Sequence, residues 1–175
     1  PYQWRAPYVK DSVTYNEGLR TDKRDDRASY VYGQKELWYI NSIESKNMIA
    51  TFKLASCADR LPADETGAKQ TSTASQKLVE INLYSKADFL QNNDKAKPIK
   101  TIHFDYAYSL CRGINGSIND SGKLTLVDIY FTYNGGSKKQ NYYKFYYNGI
   151  NPRYSTKSND RWGTYKDPLD NPGSS

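Results

Sequence analysis

The sequence predicts an all-β domain, built mostly from antiparallel strands that follow one another in a meander. Residues 99–108 show the cleanest alternation of apolar and polar side chains in the sequence, as a half-buried strand does. Residues 123–133 and 142–147 are rich in β-branched and aromatic residues and flank the polar, glycine-bearing turn 134–141, which indicates a hairpin. The chain also has 17 Tyr against 5 Phe and 3 Trp, and tyrosine suits half-exposed strands. A β-sandwich and an open twisted sheet both fit these observations.

Length and composition favour a single β-rich domain over residues 1–175, which can bury a core of its own. The net charge is +6, but the charges of both signs are interspersed, which favours a solvated exterior over a nucleic-acid partner. No apolar run approaches the roughly 20 residues that a membrane helix needs. Because the sequence begins at Pro1 without Met or a secretory segment, we expect a piece of a larger chain.

The first 36 residues are polar and turn-rich, so they are predicted to be an irregular lead-in to the main sheet. Alternating aromatic residues (Tyr2, Trp4 and Tyr8) surround Pro7. Residues 13–15 are compatible with a short strand, and the densely charged residues 19–27 are predicted to be a loop.

The main sheet is predicted over residues 37–147, beginning with a hairpin over residues 37–54 that turns at 44–47. Residues 55–76 contain Pro62 and Gly67, with almost no large apolar side chain beyond Leu61. They are therefore expected to form one long, exposed and mobile loop. Residues 148–175 are predicted to be an irregular tail.

The second half of the sheet is predicted from a strand over residues 78–84, a helical turn over 87–90, the strand over 99–108 and the hairpin over 123–147. Side chains two residues apart in a strand share a face. We therefore expect Phe104, Ile129, Phe131 and Phe145 to be buried together on one face.

Two cysteines, Cys57 and Cys111, are too few for a tetrahedral metal site. Their spacing leaves a disulfide and two free thiols equally open. His103 is the only histidine, and Asp105 shares its predicted face, but positions two apart in a strand are separated by about 7 Å. Neither a nucleophile elbow nor a glycine-rich phosphate loop accompanies this pair. The sequence therefore predicts no catalytic, metal or cofactor-binding residue, no cofactor and no enzyme.

Exposed aromatic side chains are the remaining candidates for a site: Trp4, Trp38, Trp162 and Tyr165. Such rings stack on sugar rings or on bases. Packing in a core or at a sheet edge is the alternative, and it is favoured for the three tryptophans.

Several segments together resemble a block found in very large secreted bacterial proteins related to the Rhs/YD-repeat group. They are residues 33–39, 42–46, 98–106, 124–133, 143–148, 151–152 and 160–166. The resemblance implies antiparallel sheet segments of a large exported shell or surface protein. It also implies a secreted or cell-surface location in a bacterium, with the remainder of the parent polypeptide or a secretion or surface protein as partner.

Two functional hypotheses follow. The first is a non-catalytic structural or protein-binding segment of such an exported protein. The alternative is a carbohydrate-binding β-sandwich module of a secreted glycan-active protein, for which a glycan is the partner.

Overall fold

A computed structural model of the chain describes residues 1–6, 8, 30–148, 151–155, 158, 160 and 162–170. Within these ranges the chain forms eight strands in two antiparallel sheets and one short α-helix, which confirms the predicted fold class. The larger sheet is open, with strand order β3-β4-β5-β6-β7-β8, so each strand pairs with its neighbour in sequence. None of the described helices is long and apolar enough to cross a membrane.

The strands are β1 (Tyr2–Ala6), β2 (Val31–Lys35), β3 (Ser42–Glu44), β4 (Met48–Ser56), β5 (Gln76–Ser85), β6 (Lys100–Ala107), β7 (Thr125–Tyr133) and β8 (Gln140–Lys144). Helix α1 (Lys86–Asn92) follows β5, and short 3-10 turns lie at Asn93–Lys95 and Pro168–Asp170. The predicted strands at 78–84 and 99–108, the helical turn and both hairpins are therefore present.

The lead-in is not irregular throughout, because β1 and β2 form a two-stranded sheet of their own. Trp4 pairs with Gly33, and the indole lies over this glycine so closely that a Cβ there would be 2.8 Å from the ring. A glycine within a strand indicates a close approach of this kind, but the polar composition of the segment led to its assignment as irregular chain. The predicted strand at 13–15 and the loop at 19–27 lie outside the described residues.

The first hairpin is shorter than predicted. Its outer strand β3 has three residues, and residues 37–41 lie outside any strand although they were assigned to it. One backbone hydrogen bond, from Phe52 N to Asn41 O at 3.0 Å, extends the pairing beyond β3. The exposed apolar side chains of residues 37–40 therefore lie just before the first strand of the sheet, outside its regular strand pairing.

The expectation of an exposed loop after β4 is wrong for its first part. Cys57, Leu61 and Ala63 are 1%, 3% and 0% exposed, and Pro62 is also fully buried. This segment packs against a loop some 55 residues further on: Leu61 N donates to Gly116 O at 3.0 Å, and Ile118 N donates to Ala58 O at 2.8 Å. Small residues pack well where another backbone approaches closely. This segment is therefore the best-buried part of the described chain, although Leu61 is almost its only large apolar side chain.

One end of the large sheet is covered by α1. The Phe89 ring lies 5.0 Å from the Tyr84 ring on β5. Ile49 pairs with Tyr84 across β4 and β5 and is only 5% exposed. Among the described elements, α1 is the one helix that packs on this sheet, and it reaches only β4 and β5.

The register divides the large sheet into two chemically different faces, because directly opposed residues point to the same side. What we call the apolar face carries Ile43, Ala50, Phe52, Ile81, Leu83, Lys100, Ile102, Phe104, Ile129, Phe131, Tyr133 and Tyr143. What we call the polar face carries Thr51, Lys53, Glu80, Asn82, Thr101, His103, Asp105, Asp128, Tyr130 and Thr132. The sheet is thus amphipathic in the way that one layer of a two-layer structure is.

The predicted burial of four residues on one face is wrong. Phe104, Ile129 and Phe131 do share the apolar face, but each is only half-buried. Phe145 lies beyond the end of β8 and is 40% exposed. The reason is that, apart from α1 against β4 and β5, no described helix or strand packs on the large sheet as a second layer.

Candidate interaction surfaces

The apolar face is a continuous apolar surface that the described residues leave partly open. Its central side chains are half-buried, and Ile43 and Tyr143 at its two edges are 56% and 59% exposed. Lys100 is its one charged member, with Nζ 4.1 Å from the centre of the Phe131 ring. An ammonium over an aromatic face is held by the ring quadrupole, so this charge stays on the apolar surface.

The described residues contain a very small apolar core. Its buried side chains are Ile49, Cys57, Leu61, Pro62 and Ala63.

The two edge strands of the large sheet are poorly suited to pairing with a further strand. Edge strand β3 has only three residues, and edge strand β8 is irregular, with Asn141 in the left-handed region (φ 48°). Lys139 precedes β8, and Lys144 is its last residue. Short edges, irregular edges and edge lysines are the devices that prevent edge-to-edge pairing.

The polar face is organised as a ladder that crosses five strands. Lys53 Nζ lies 3.3 Å from Glu80 Oε2, and Glu80 Oε1 lies 3.7 Å from Nδ1 of His103. The imidazole stacks on Tyr130, which stacks in turn on Tyr142 of β8 at a centroid distance of 5.7 Å. These contacts join β4, β5, β6, β7 and β8 side by side.

His103 is occupied by this ladder rather than by Asp105. Its Nε2 lies 2.9 Å from Thr132 Oγ1, and the nearest charged partner of Asp105 is Lys139, at 3.9 Å. No hydrogen bond between His103 and Asp105 exists in the described part of the chain. The two residues share a face, as their spacing predicted, but the geometry does not bring them together.

Asp105 instead faces another carboxylate, that of Asp128 on β7. A hydrogen bond from the Tyr142 phenol to Asp128 is the main cause of a raised pKa of that phenol. The other carboxylate oxygen, Asp128 Oδ1, is buried and has no hydrogen-bond partner among the described residues. Across residues 1–6, 30–148 and the described parts of the tail, no three His, Cys, Asp or Glu side chains gather as a metal site would require.

Both cysteines are free thiols, which resolves the alternative that their spacing left open. Cys57 is buried, and its Sγ lies 2.9 Å from Nη2 of Arg60. Cys111 is half-buried and has a positive φ of 51°.

The four aromatic residues singled out from the sequence do not form one surface. Trp4 is 37% exposed and is committed to Gly33, whereas Trp162 and Tyr165 are 77% and 58% exposed in the tail. The tail turn around Trp162 is held by Asp160, whose carboxylate accepts hydrogen bonds from Thr164 and from the Trp162 backbone. The backbone hydrogen bond from Thr164 is the main reason why the pKa of Asp160 is lowered.

Trp38 is the most exposed tryptophan, at 87%, and it lies near other aromatic residues in an arrangement that the sequence did not predict. It lines a shallow groove of about 400 Å³ together with Tyr2 and Tyr39. Polar side chains from the connection between β4 and β5, those of Ser72 and Thr73, also line it. Tyr2, Ser72 and Thr73 were not among the predicted site residues, because their segments were assigned to irregular, exposed chain.

No protein-family model, curated protein sequence or solved structure matches this chain. The resemblance to the Rhs/YD-repeat group therefore stays a prediction.

Proposed function

We propose that this chain is a non-catalytic structural and protein-binding segment of a large exported bacterial protein, similar to the shell and surface proteins of the Rhs/YD-repeat group. It is secreted or displayed at the cell surface, and its work is to dock. The single observation that carries the proposal is the open apolar face of the six-stranded sheet, whose ladders of aliphatic and aromatic side chains remain half-exposed.

The continuity of this surface from strand to strand is what favours a role in docking to another protein. An apolar patch of more than a few hundred Å² is unusual on a monomer and marks an interaction site. Apolar ladders from Ile43 to Tyr133 and from Phe52 to Phe131 span the sheet. Covering such a face removes apolar area from water at about 25 cal/mol per Å², which is the main driving force for association.

The partner is protein that supplies the missing second layer, either the remainder of the parent polypeptide or a secretion or surface protein. Lys100 sets one requirement on its chemistry, since burying an ammonium without a counter-charge is costly. We therefore expect a partner surface that is apolar at its centre and carries an acidic side chain opposite Lys100. The short and irregular edges β3 and β8 favour docking through the face over addition of a strand.

Hydroxyl-radical footprinting compares the isolated chain with the same residues inside the parent protein. Phe131 on the apolar face should be oxidised in the isolated chain and protected in the parent. Tyr142 is 50% exposed and stacks on the opposite face, so it serves as the internal control and should be oxidised equally in both.

Equal oxidation of Phe131 in the two settings would contradict the proposal. Light scattering after size exclusion adds a second readout on the isolated chain. A second result would also contradict docking. In it, the isolated chain stays monomeric and binds no part of the parent protein at concentrations where footprinting shows that its apolar face is exposed.

A further inference from the structure

The groove around Trp38 is separate from the apolar face and has the composition of a small-ligand site. The indole is 87% exposed, and the Tyr39 and Tyr2 rings lie in the same groove. A tryptophan exposed to this degree gains nothing from packing, since most of its surface remains in water. Its position beside two further rings in a concave surface is what distinguishes it from Trp162, which is 77% exposed in the tail.

The tyrosines of the groove are fixed in place by their hydroxyls. The Tyr39 phenol oxygen accepts a hydrogen bond from Gln76 N, the first residue of β5, at 3.0 Å. The Tyr2 phenol donates to Arg60 O at 3.4 Å, and burial is the main cause of a raised pKa of this phenol. Both rings are thereby held at their hydroxyl ends, and Lys35 Nζ lies 5.1 Å from the centre of the Tyr2 ring. Pre-ordered rings cost little further entropy when a ligand stacks on them.

The polar side chains of the groove have hydrogen-bonding capacity to spare. Glu36, Ser72 and Thr73 line it, and none of their side chains has a hydrogen bond or ion pair with another described residue. Together they offer two hydroxyl groups, which donate and accept, and one carboxylate, which accepts. A few polar groups around an aromatic floor are what orients a ligand in a binding groove.

We propose that this groove binds a saccharide, with one pyranose ring lying on Trp38. The C–H groups on one face of a pyranose present an apolar and slightly electropositive surface to the negative face of the indole. The ring hydroxyls then point sideways to Glu36, Ser72 and Thr73. An open groove admits a ring from within an oligosaccharide as well as a terminal ring.

The charges around the groove are of both signs, which suits a neutral sugar. Glu36 is the acidic group of its lining, and Lys35 Nζ lies 5.1 Å from the centre of the Tyr2 ring. This inference goes beyond the docking proposed above and does not depend on it, because the apolar face of the large sheet contributes no residue to the groove.

The test uses the isolated chain and a panel of soluble hexasaccharides: cellohexaose, laminarihexaose, mannohexaose and chitohexaose. Binding is followed by isothermal titration calorimetry and by tryptophan fluorescence. We expect at least one of them to bind with a Kd of about 1 mM or below, as shallow aromatic sites do. Trp38→Ala should weaken that binding at least about tenfold, and Trp38→Phe, which retains a ring, should weaken it less.

Trp162→Ala is the matched control, because it removes an equally exposed indole outside the groove and should leave the Kd unchanged. Circular dichroism of each variant reports folding, which an exposed side chain should not disturb. The proposal is overturned if none of the four saccharides binds below about 10 mM. It is also overturned if Trp38→Ala binds as the parent chain does, or if Trp162→Ala loses as much affinity as Trp38→Ala.

Discussion

His103 lies flat against Tyr130, with ring centroids 4.6 Å apart and planes inclined by 9°. The two residues are directly opposed on β6 and β7. The Lys139 ammonium sits 4.0 Å from the centre of the Tyr130 ring, and the His103 Nε2 is 2.9 Å from Thr132 Oγ1. The only histidine of the chain is therefore a member of a cross-strand stack, and its contacts are those of a sheet-stabilising residue.

The first prediction concerns the hydroxyl that holds this stack. Thr132 is 7% exposed, so Thr132→Val keeps its shape but leaves a half-buried imidazole nitrogen without its partner. We expect a loss of about 1–2 kcal/mol in the free energy of unfolding. Thr125→Val removes a hydroxyl that bonds to Lys123 O in an exposed position and should cost less than about 0.5 kcal/mol. Urea unfolding of both variants measures the difference, and equal losses would contradict the role given to Thr132.

Stability should depend more on the connection after β4 than on the centre of the large sheet. Leu61 is 3% exposed, so Leu61→Ala should cost about 2–5 kcal/mol. Phe131 is half-buried in the isolated chain, so Phe131→Ala should cost less than the roughly 3–5 kcal/mol of an enclosed ring. The same urea series tests this order, and a larger loss at Phe131 than at Leu61 would reverse our assignment of the core.

The sequence was informative where local pattern decides structure and silent where distant segments meet. The alternation in β5, β6 and β7 and the glycine-bearing turn after Tyr133 predicted those strands, because each depends on neighbouring residues only. Burial of Leu61 depends on Gly116, which is 55 positions away, and no periodicity announces such a contact. The groove was not predicted, for the same reason. Trp38 was predicted as a candidate site residue, but Tyr2 and Thr73, which line the groove with it, come from segments assigned to irregular chain.

Limited proteolysis separates the two halves of that connection. Trypsin can cut after Arg60, between the buried residues Asp59 and Leu61, or after Lys69, which is exposed and lies between the exposed Ala68 and the half-buried Gln70. Cleavage needs local unfolding, which is harder where the chain is buried and hydrogen-bonded. We expect the cut after Lys69 to precede the cut after Arg60, as followed by mass spectrometry of early digests. Simultaneous cleavage would restore the original expectation of a loop that is mobile from end to end.

Asp64 should make part of the stability dependent on acid. Its carboxylate accepts hydrogen bonds from the Thr66 hydroxyl and from Ala68 N. Both lower the pKa of Asp64, and the hydrogen bond from the Thr66 hydroxyl has the larger effect. A carboxyl whose folded pKa lies below the unfolded value of about 3.9 contributes stability above that value. The contribution is lost as the pH falls through the folded pKa.

The matching variant is Asp64→Asn, which keeps the shape and removes the charge. It should unfold at lower urea than the parent chain at pH 6, and the gap should narrow as the pH falls below about 4. Urea midpoints over this pH range give the comparison. A gap that stays constant down to pH 2 would show that the charge of Asp64 does not matter.

Lys100 provides the sharpest test of how the apolar face is used. It and Lys53 are lysines of the same sheet on opposite faces: Lys100 lies 4.1 Å above the Phe131 ring, and Lys53 lies 3.3 Å from Glu80 on the polar face. If an acidic side chain of the partner meets Lys100, Lys100→Gln leaves that carboxylate buried without its counter-charge, which costs binding free energy. Affinity of the chain for a parent protein that lacks these residues should then fall about tenfold or more for Lys100→Gln and stay within about twofold for Lys53→Gln. Surface plasmon resonance at two salt concentrations measures both, and the Lys100 effect should appear mainly as faster dissociation, because a buried pair is lost. Equal affinities for the two variants would show that the partner does not cover the face on which Lys100 lies.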